Sequence, residues 1–113
     1  MNIESETFDD GVRKISLSGR LDIQGAQEID LKFSGLTANQ RSVVVDLAGV
    51  SFLASIGIRT LLLAAKAVSQ RGGKLVLCNP DAGIVQILKT AGIDSLIPIF
   101  PSLDQARLAV AAA

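Results

Sequence analysis

The chain has 113 residues, of which 49% are hydrophobic and 4% aromatic, so we expect one domain with an aliphatic core. Eleven Lys and Arg residues balance eleven Asp and Glu residues, which argues against nucleic-acid binding because no basic field is present. The absence of histidine excludes a Ser-His-Asp triad and removes the commonest metal ligand. We therefore expect neither an enzyme nor a metal site, and no cofactor.

The single cysteine and the polar N-terminus indicate the cellular compartment in which the protein works. Cys78 is the only cysteine, so no internal disulfide forms, and its place in the apolar run Leu75–Cys78 predicts a buried structural thiol. The polar start Met1–Glu4 is not typical of a signal peptide. No apolar run approaches the roughly 20 residues that span a bilayer. The sequence predicts a cytoplasmic protein without direct membrane insertion.

The first third of the chain predicts a hairpin and a helix. Residues 2–8 and 12–18 read as two strands, and Asp9-Asp10-Gly11 between them is typical of a tight turn. Apolar residues at helical spacing predict a helix from Gly25 to Phe33, which Ser34-Gly35 should end. Residues 37–42 are expected to form a polar loop.

The rest of the chain alternates strands and helices. Val43–Leu47 is a β-branched run typical of a central strand that is covered on both faces. A long helix should begin at Ser55 or Ile56 and end at Gln70, before Gly72-Gly73. The later elements are a strand 74–78, a helix from an Asp81 N-cap to 91, an edge strand 96–100, and a helix opened by the capping box Ser102–Gln105, with fraying at 111–113.

The resulting order is ββαβαβαβα, which predicts an α/β fold. We expect a mixed four- to five-stranded sheet with an N-terminal β-hairpin and about four helices. The whole chain, 1–113, is predicted to be a single domain.

Ser55 is the main candidate for a functional residue. It stands at the predicted start of the long helix, where free N–H groups and the helix dipole favour a phosphate. The structural alternative is that Ser55 is only an N-cap, worth about 1 kcal/mol over alanine. The residues alone leave both interpretations open.

The long helix carries a second signal. At about 100° per residue, one face should enter the core, and it consists of Ile58, Leu61, Leu62, Ala65 and Val68. The opposite face carries Arg59 and Lys66, but also an apolar strip formed by Ile56, Leu63 and Ala67. This strip predicts a docking surface for another protein. Scattered exposed apolar residues are also normal, which is the structural alternative.

Several short motifs, in this order and at this spacing, resemble the STAS domain, the family of bacterial anti-sigma factor antagonists. The resemblance covers nearly the whole chain. The matching segments are Gly19–Asp22, Val45–Phe52, Ser55–Ile58, Gly72–Leu75, Asn79-Pro80 and Thr90–Ile93.

The resemblance implies that Ser55 is the phosphoacceptor. In this family such a serine commonly stands in the order Asp-Ser-small-Gly, whereas here the order is Ala54-Ser55-Ile56-Gly57. Arg20 also stands where an acid is common. The resemblance places the Asp22 loop beside Ser55. The predicted partner-binding residues are Asp22, Ala54, Ile56, Gly57, Arg59, Leu63 and Ala67.

The resemblance also implies a function. The unphosphorylated protein would bind an anti-sigma factor with serine-kinase activity, that partner would phosphorylate Ser55, and a serine phosphatase would reset the switch. The alternative is a non-switching STAS accessory subunit of a lipid-trafficking ABC transporter, or a STAS scaffold component. Ala54 and Ile56, which depart from the family order, favour this alternative.

Overall fold

The computed structural model describes residues 1–111. Within this range, five strands and four α-helices alternate after an initial strand pair, with one short 3-10 turn at Ile93–Ser95. In chain order, the elements are β1 (Asn2–Thr7), β2 (Arg13–Leu21), α1 (Ile23–Thr37), β3 (Ser42–Leu53), α2 (Ser55–Gln70), β4 (Lys74–Cys78), α3 (Ala82–Thr90), β5 (Ile99–Phe100) and α4 (Leu103–Ala111).

The strands form one mixed sheet in the order β1-β2-β3-β4-β5. β1 pairs with β2 antiparallel, and the remaining neighbours are parallel. The predicted hairpin is present, and its turn contains Gly11 at a φ of 84°, a left-handed conformation that glycine adopts readily. The predicted α/β class and mixed sheet are confirmed.

Helices cover the sheet unequally. On one side, α1, α2 and α3 pack over a large aliphatic core that includes Phe33, Leu61 and Leu88. On the other side, α4 contributes Ala106 and Val110 to a smaller cluster. The start of β3 is covered on both faces, as predicted, and Val43, Val44 and Val45 are fully buried.

The two central strands are longer than predicted. β2 runs through Gly19–Leu21, and β3 continues for six residues past Leu47, where the sequence predicted a loop. These extensions pair with each other, and register shifts between Ser16 and Ser18 and between Gly19 and Arg20 accommodate them. Small and polar residues such as Gly49 and Ser51 hid this stretch because they lack strand propensity.

The end predicted for α1 is wrong. The helix runs through Ser34-Gly35 to Thr37. The Thr37 hydroxyl donates to the carbonyl oxygens of Phe33 and Ser34 at 3.1 and 3.2 Å, and the side chain is buried. Burial of the last turn therefore outweighs the low helix propensity of glycine.

The last third follows the prediction with one change. Asp81 caps α3 by accepting from the Ile84 N–H at 2.9 Å, and Ser102 accepts from the Gln105 N–H at 3.3 Å. β5 is only two residues long, because the N–H groups of Leu96 and Ile97 both bond back to the Ile93 carbonyl. The fraying predicted at 111–113 concerns Ala111, the last residue of α4, and two residues that lie outside the described part of the chain.

Candidate functional site

The candidate site lies at the edge of the sheet where two neighbouring parallel strands end. Leu21 and Leu53 are register partners, and α1 and α2 begin two residues after them. The Ala54 N–H donates to the Leu21 carbonyl oxygen at 3.0 Å. The register therefore brings Asp22 and Ala54 to adjacent strand ends, with Ser55 one residue further along.

The two helix starts differ in capping. At α1, the Asp22 carboxylate accepts from the Gly25 N–H at 2.8 Å. At α2 the cap residue is Ala54, which has no side-chain acceptor, and Ser55 is the first helical residue. The interpretation of Ser55 as an N-cap is therefore wrong, because the chain reaches its cap conformation one residue earlier.

Ser55 is exposed, and its hydroxyl makes no hydrogen bond within residues 1–111. In the same part of the chain, no backbone acceptor reaches the N–H groups of Ser55, Ile56 and Gly57. Such groups are the positive end of the helix dipole. The hydroxyl is thus presented to solvent beside unsatisfied donors.

Gly57 determines how closely the start of α2 packs against the end of β2. A Cβ at Gly57 would lie 2.5 Å from the Leu21 Cγ and 2.8 Å from the Leu21 carbonyl oxygen. Gly57 is buried, so it holds the first turn of α2 against the end of β2. Within the predicted site, its part is to position Ser55.

Asp22 belongs to a small charged cluster at the same edge. Arg20 Nε lies 3.5 Å from Asp22 Oδ2, and the Arg20 guanidinium carbon lies 4.2 Å from the centroid of the Phe52 ring. The Gly25 N–H and the nearby Arg20 hold the pKa of the Asp22 carboxyl below its ordinary value of 3.8. The carboxylate is therefore charged at neutral pH and adds a negative charge near Ser55.

A groove of about 570 Å³ runs between α1 and α2. Its lining includes the whole predicted apolar strip, Ile56, Leu63 and Ala67, together with Arg59. Leu63 is 56% exposed and Ile56 is 36% exposed. The strip thus forms one wall of a concave surface whose upper end lies beside Ser55.

The core face predicted for α2 is displaced. The buried residues are Gly57, Leu61, Ala64 and Val68, whereas the predicted members Ile58, Leu62 and Ala65 are only partly buried at the edge of the core. The helix is rotated about its axis relative to the prediction, because Gly57 lets the N-terminal end of α2 approach β2 closely. Ala64 consequently joins Ala67 in the lining of the groove.

The opposite wall and the far end of the groove were missed by sequence reasoning. Ala26, Asp30 and Phe33 line it from α1, and Arg71 closes the far end, where its Nη2 donates to the carbonyl oxygens of Thr37 and Gln40 at 2.6 and 3.1 Å. A usable signal was present, since α1 and α2 follow adjacent parallel strands and therefore pack side by side.

Asp46 and Cys78 lie away from this groove, at the junction of β3 and β4. Asp46 accepts from the Ala48 N–H at 2.9 Å and lies 3.6 Å from Lys14 Nζ. Cys78 is fully buried, as predicted, and burial raises the pKa of its thiol to about 12. Both residues therefore have structural roles here.

The described residues contain neither a metal-binding cluster nor a membrane-spanning helix. Across residues 1–111, no group of three or more acidic or cysteine side chains could hold a metal ion. No helix within the same range is long and apolar enough to cross a membrane.

The chain is similar to proteins of known family and known structure. The family model of the STAS domain matches residues 5–106, which confirms the resemblance. The protein named "Putative anti-sigma factor antagonist BtrV", from Bordetella bronchiseptica, is 29% identical over 101 residues, 88% of this chain and 87% of that relative. The crystal structure of an anti-sigma factor antagonist from Mycobacterium paratuberculosis superposes with a TM-score of 0.87 at 26% identity, covering 96% of this chain and 92% of that one.

Proposed function

This chain belongs to the STAS domain family, and we propose that it acts as an anti-sigma factor antagonist. In this proposal, the single domain 1–113 is a cytoplasmic protein-binding module without enzymatic activity of its own. Its unmodified form binds an anti-sigma factor that has serine-kinase activity. The names of the relatives support the class of partner.

One observation carries the switch. Ser55 is exposed on the first turn of α2, beside unsatisfied N–H groups and at the rim of the α1–α2 groove. The proposed partner surface surrounds it and consists of Asp22, Ala54, Ile56, Arg59, Leu63 and Ala67, with Gly57 holding the helix start. A hydroxyl in this position is accessible to a kinase that docks on the groove.

The proposed chemistry is a phosphoryl transfer. The Ser55 Oγ attacks the γ-phosphorus of an ATP bound by the partner, its proton passes to a base of that partner, and ADP leaves. The product carries about −1.5 to −2 charge at pH 7. A docked partner would then have to desolvate a dianion next to the Asp22 carboxylate, so the complex dissociates. A serine phosphatase hydrolyses the ester and restores the binding form.

The test is affinity capture from the cytosol of the native host with three baits: the wild type, Ser55→Asp and Ser55→Ala. We expect the wild type and Ser55→Ala to retain a protein with an ATP-binding kinase domain, and Ser55→Asp to lose it. Incubation of the wild type with that protein and ATP should add one phosphate, which mass spectrometry locates at Ser55, whereas Ser55→Ala should stay unmodified.

Two results would contradict the proposal. Equal retention of a transporter ATPase by all three baits would point to the accessory subunit, which Ala54 and Ile56 favour because they depart from the family order around Ser55. Transfer of phosphate to a residue other than Ser55 would remove the switch from this helix start.

A further inference from the structure

We infer that Arg59 is the residue through which modification of Ser55 acts on the groove. In the unmodified protein, Arg59 lines the groove and offers its guanidinium to an acidic side chain of the partner. In the modified protein, the same guanidinium pairs with the phosphate on Ser55. This inference rests on the proposed function, because it takes Ser55 as the phosphoacceptor.

The spacing on α2 supports the pairing. Arg59 lies four residues after Ser55 within one helix, and side chains at this separation are neighbours, about 5–6 Å apart at Cβ. An anion placed N-terminal to a cation is the favourable order for such a pair. A guanidinium also matches a phosphate with two parallel N–H donors.

Arg59 is available for such a contact. It is exposed, and within residues 1–111 it makes no ion pair and no side-chain hydrogen bond. The other cations near the groove are engaged: Arg20 with Asp22 and Phe52, and Arg71 with two carbonyl oxygens. The phosphate would thus meet a free guanidinium without breaking an existing interaction.

Pairing of Arg59 with the phosphate would change the charge of the groove. Arg59 is part of the groove lining, and so is Ile56, the residue that follows Ser55 on α2. Asp30 is the acidic residue of the lining, so loss of Arg59 to the phosphate leaves Arg71 as the remaining cation there, already bonded to backbone. Modification therefore both adds an anion at the rim and withdraws a cation from the binding surface.

The experiment uses the full chain with phosphoserine installed at position 55 during translation, so that no kinase is needed. Phosphorus NMR at increasing pH gives the second pKa of the phosphoserine, ordinarily about 6. Arg59→Gln should raise this pKa by about 0.3 units relative to the wild type, because a nearby cation stabilises the dianion. Arg59→Lys should recover most of the wild-type value, since it keeps the charge.

Two variants serve as controls. Lys66→Gln removes an equal charge from α2, but Lys66 lies eleven residues after Ser55, about 16 Å along the axis and beyond the screening length of about 8 Å at physiological salt. It should leave the phosphoserine pKa unchanged. Arg20→Gln removes the other cation at this edge and frees Asp22, and we expect it to change the phosphoserine pKa less than Arg59→Gln does.

An unchanged pKa in Arg59→Gln would overturn the inference, and so would an effect that appears with Arg20→Gln alone. Neither result bears on the capture experiment, because switching by repulsion alone would still release the partner. Conversely, a shift in Arg59→Gln together with equal capture by all baits would leave the Arg59 pairing intact and remove the proposed function.

Discussion

At the scale of single residues, two glycines occupy equivalent positions. Gly25 and Gly57 are each the third residue of a helix that follows a strand ending in leucine, and a Cβ at either would meet backbone of the β2 end. The sequence showed Gly57 as a family-like residue, but the reason for it, the close approach to Leu21, is visible only in the structure. Gly57 is therefore required first for the packing of α2 against β2.

Gly57→Ala should lower the free energy of unfolding by about 1–3 kcal/mol, because the added methyl group overlaps the Leu21 side chain and carbonyl oxygen. Gly35→Ala is the matched control. Gly35 lies inside α1 with open space around it, so the alanine should stabilise the protein by about 0.5–1 kcal/mol. Urea unfolding of both variants and the wild type measures these differences, and a neutral Gly57→Ala would contradict the packing argument.

At the scale of elements, the sequence predicted correctly those helix and strand ends that local interactions determine. It failed where contacts with distant parts of the chain determine them. The bounds of α2 were predicted correctly because its apolar spacing is strong and Gly72, at a φ of 81°, ends it locally. The end of α1 was wrong because Thr37 is buried and its carbonyl oxygen accepts from Arg71, 34 residues further along the chain, which no local rule reports. The long β3 was missed because its second half is held by pairing with β2.

Local rules also predicted the wrong N-cap for α2. Ser55 stands at the apparent helix start, and serine is a favoured N-cap residue. The actual cap residue, Ala54, has the extended φ and ψ of −93° and 167° that a capping side chain needs. Ala54→Asn should therefore raise the free energy of unfolding by about 1 kcal/mol, because the amide oxygen accepts from a free N–H of the first turn.

The control for this prediction is Ala82→Ser. Ala82 is the first residue of α3, whose cap Asp81 is already bonded, so a serine there should change stability by less than about 0.5 kcal/mol. Thermal and urea unfolding of the two variants compare the sites directly. If Ala54→Asn gave no gain, the first-turn N–H groups of α2 would have to be satisfied in another way.

At the scale of the whole molecule, the groove and the candidate site lie on one side of the sheet. The parallel register of β2 and β3 starts α1 and α2 from the same edge, and the groove between them is the product of that arrangement. α4 covers the other side and seals the smaller cluster. The sequence indicated one wall of the groove through the strip on α2, while the second wall emerged only when the sheet order placed α1 beside it.

This arrangement allows the groove to be tested separately from the switch. Leu63 and Leu31 are both exposed leucines, at 56% and 88%, but only Leu63 lines the groove. Leu63→Arg should weaken binding of the captured partner about tenfold or more, because it places a solvated charge on an apolar contact surface. Leu31→Arg makes the same chemical change on the outer face of α1 and should leave the affinity unchanged.

Both variants should keep the stability of the wild type within about 0.5 kcal/mol, since neither side chain is in the core. Calorimetric titration with the partner recovered by the wild-type bait gives the affinities, and urea unfolding checks the fold. Equal affinities for the two variants would move the docking surface off the groove. Weaker binding by Leu31→Arg than by Leu63→Arg would place it on the outer face of α1, where modification of Ser55 has no direct route to it.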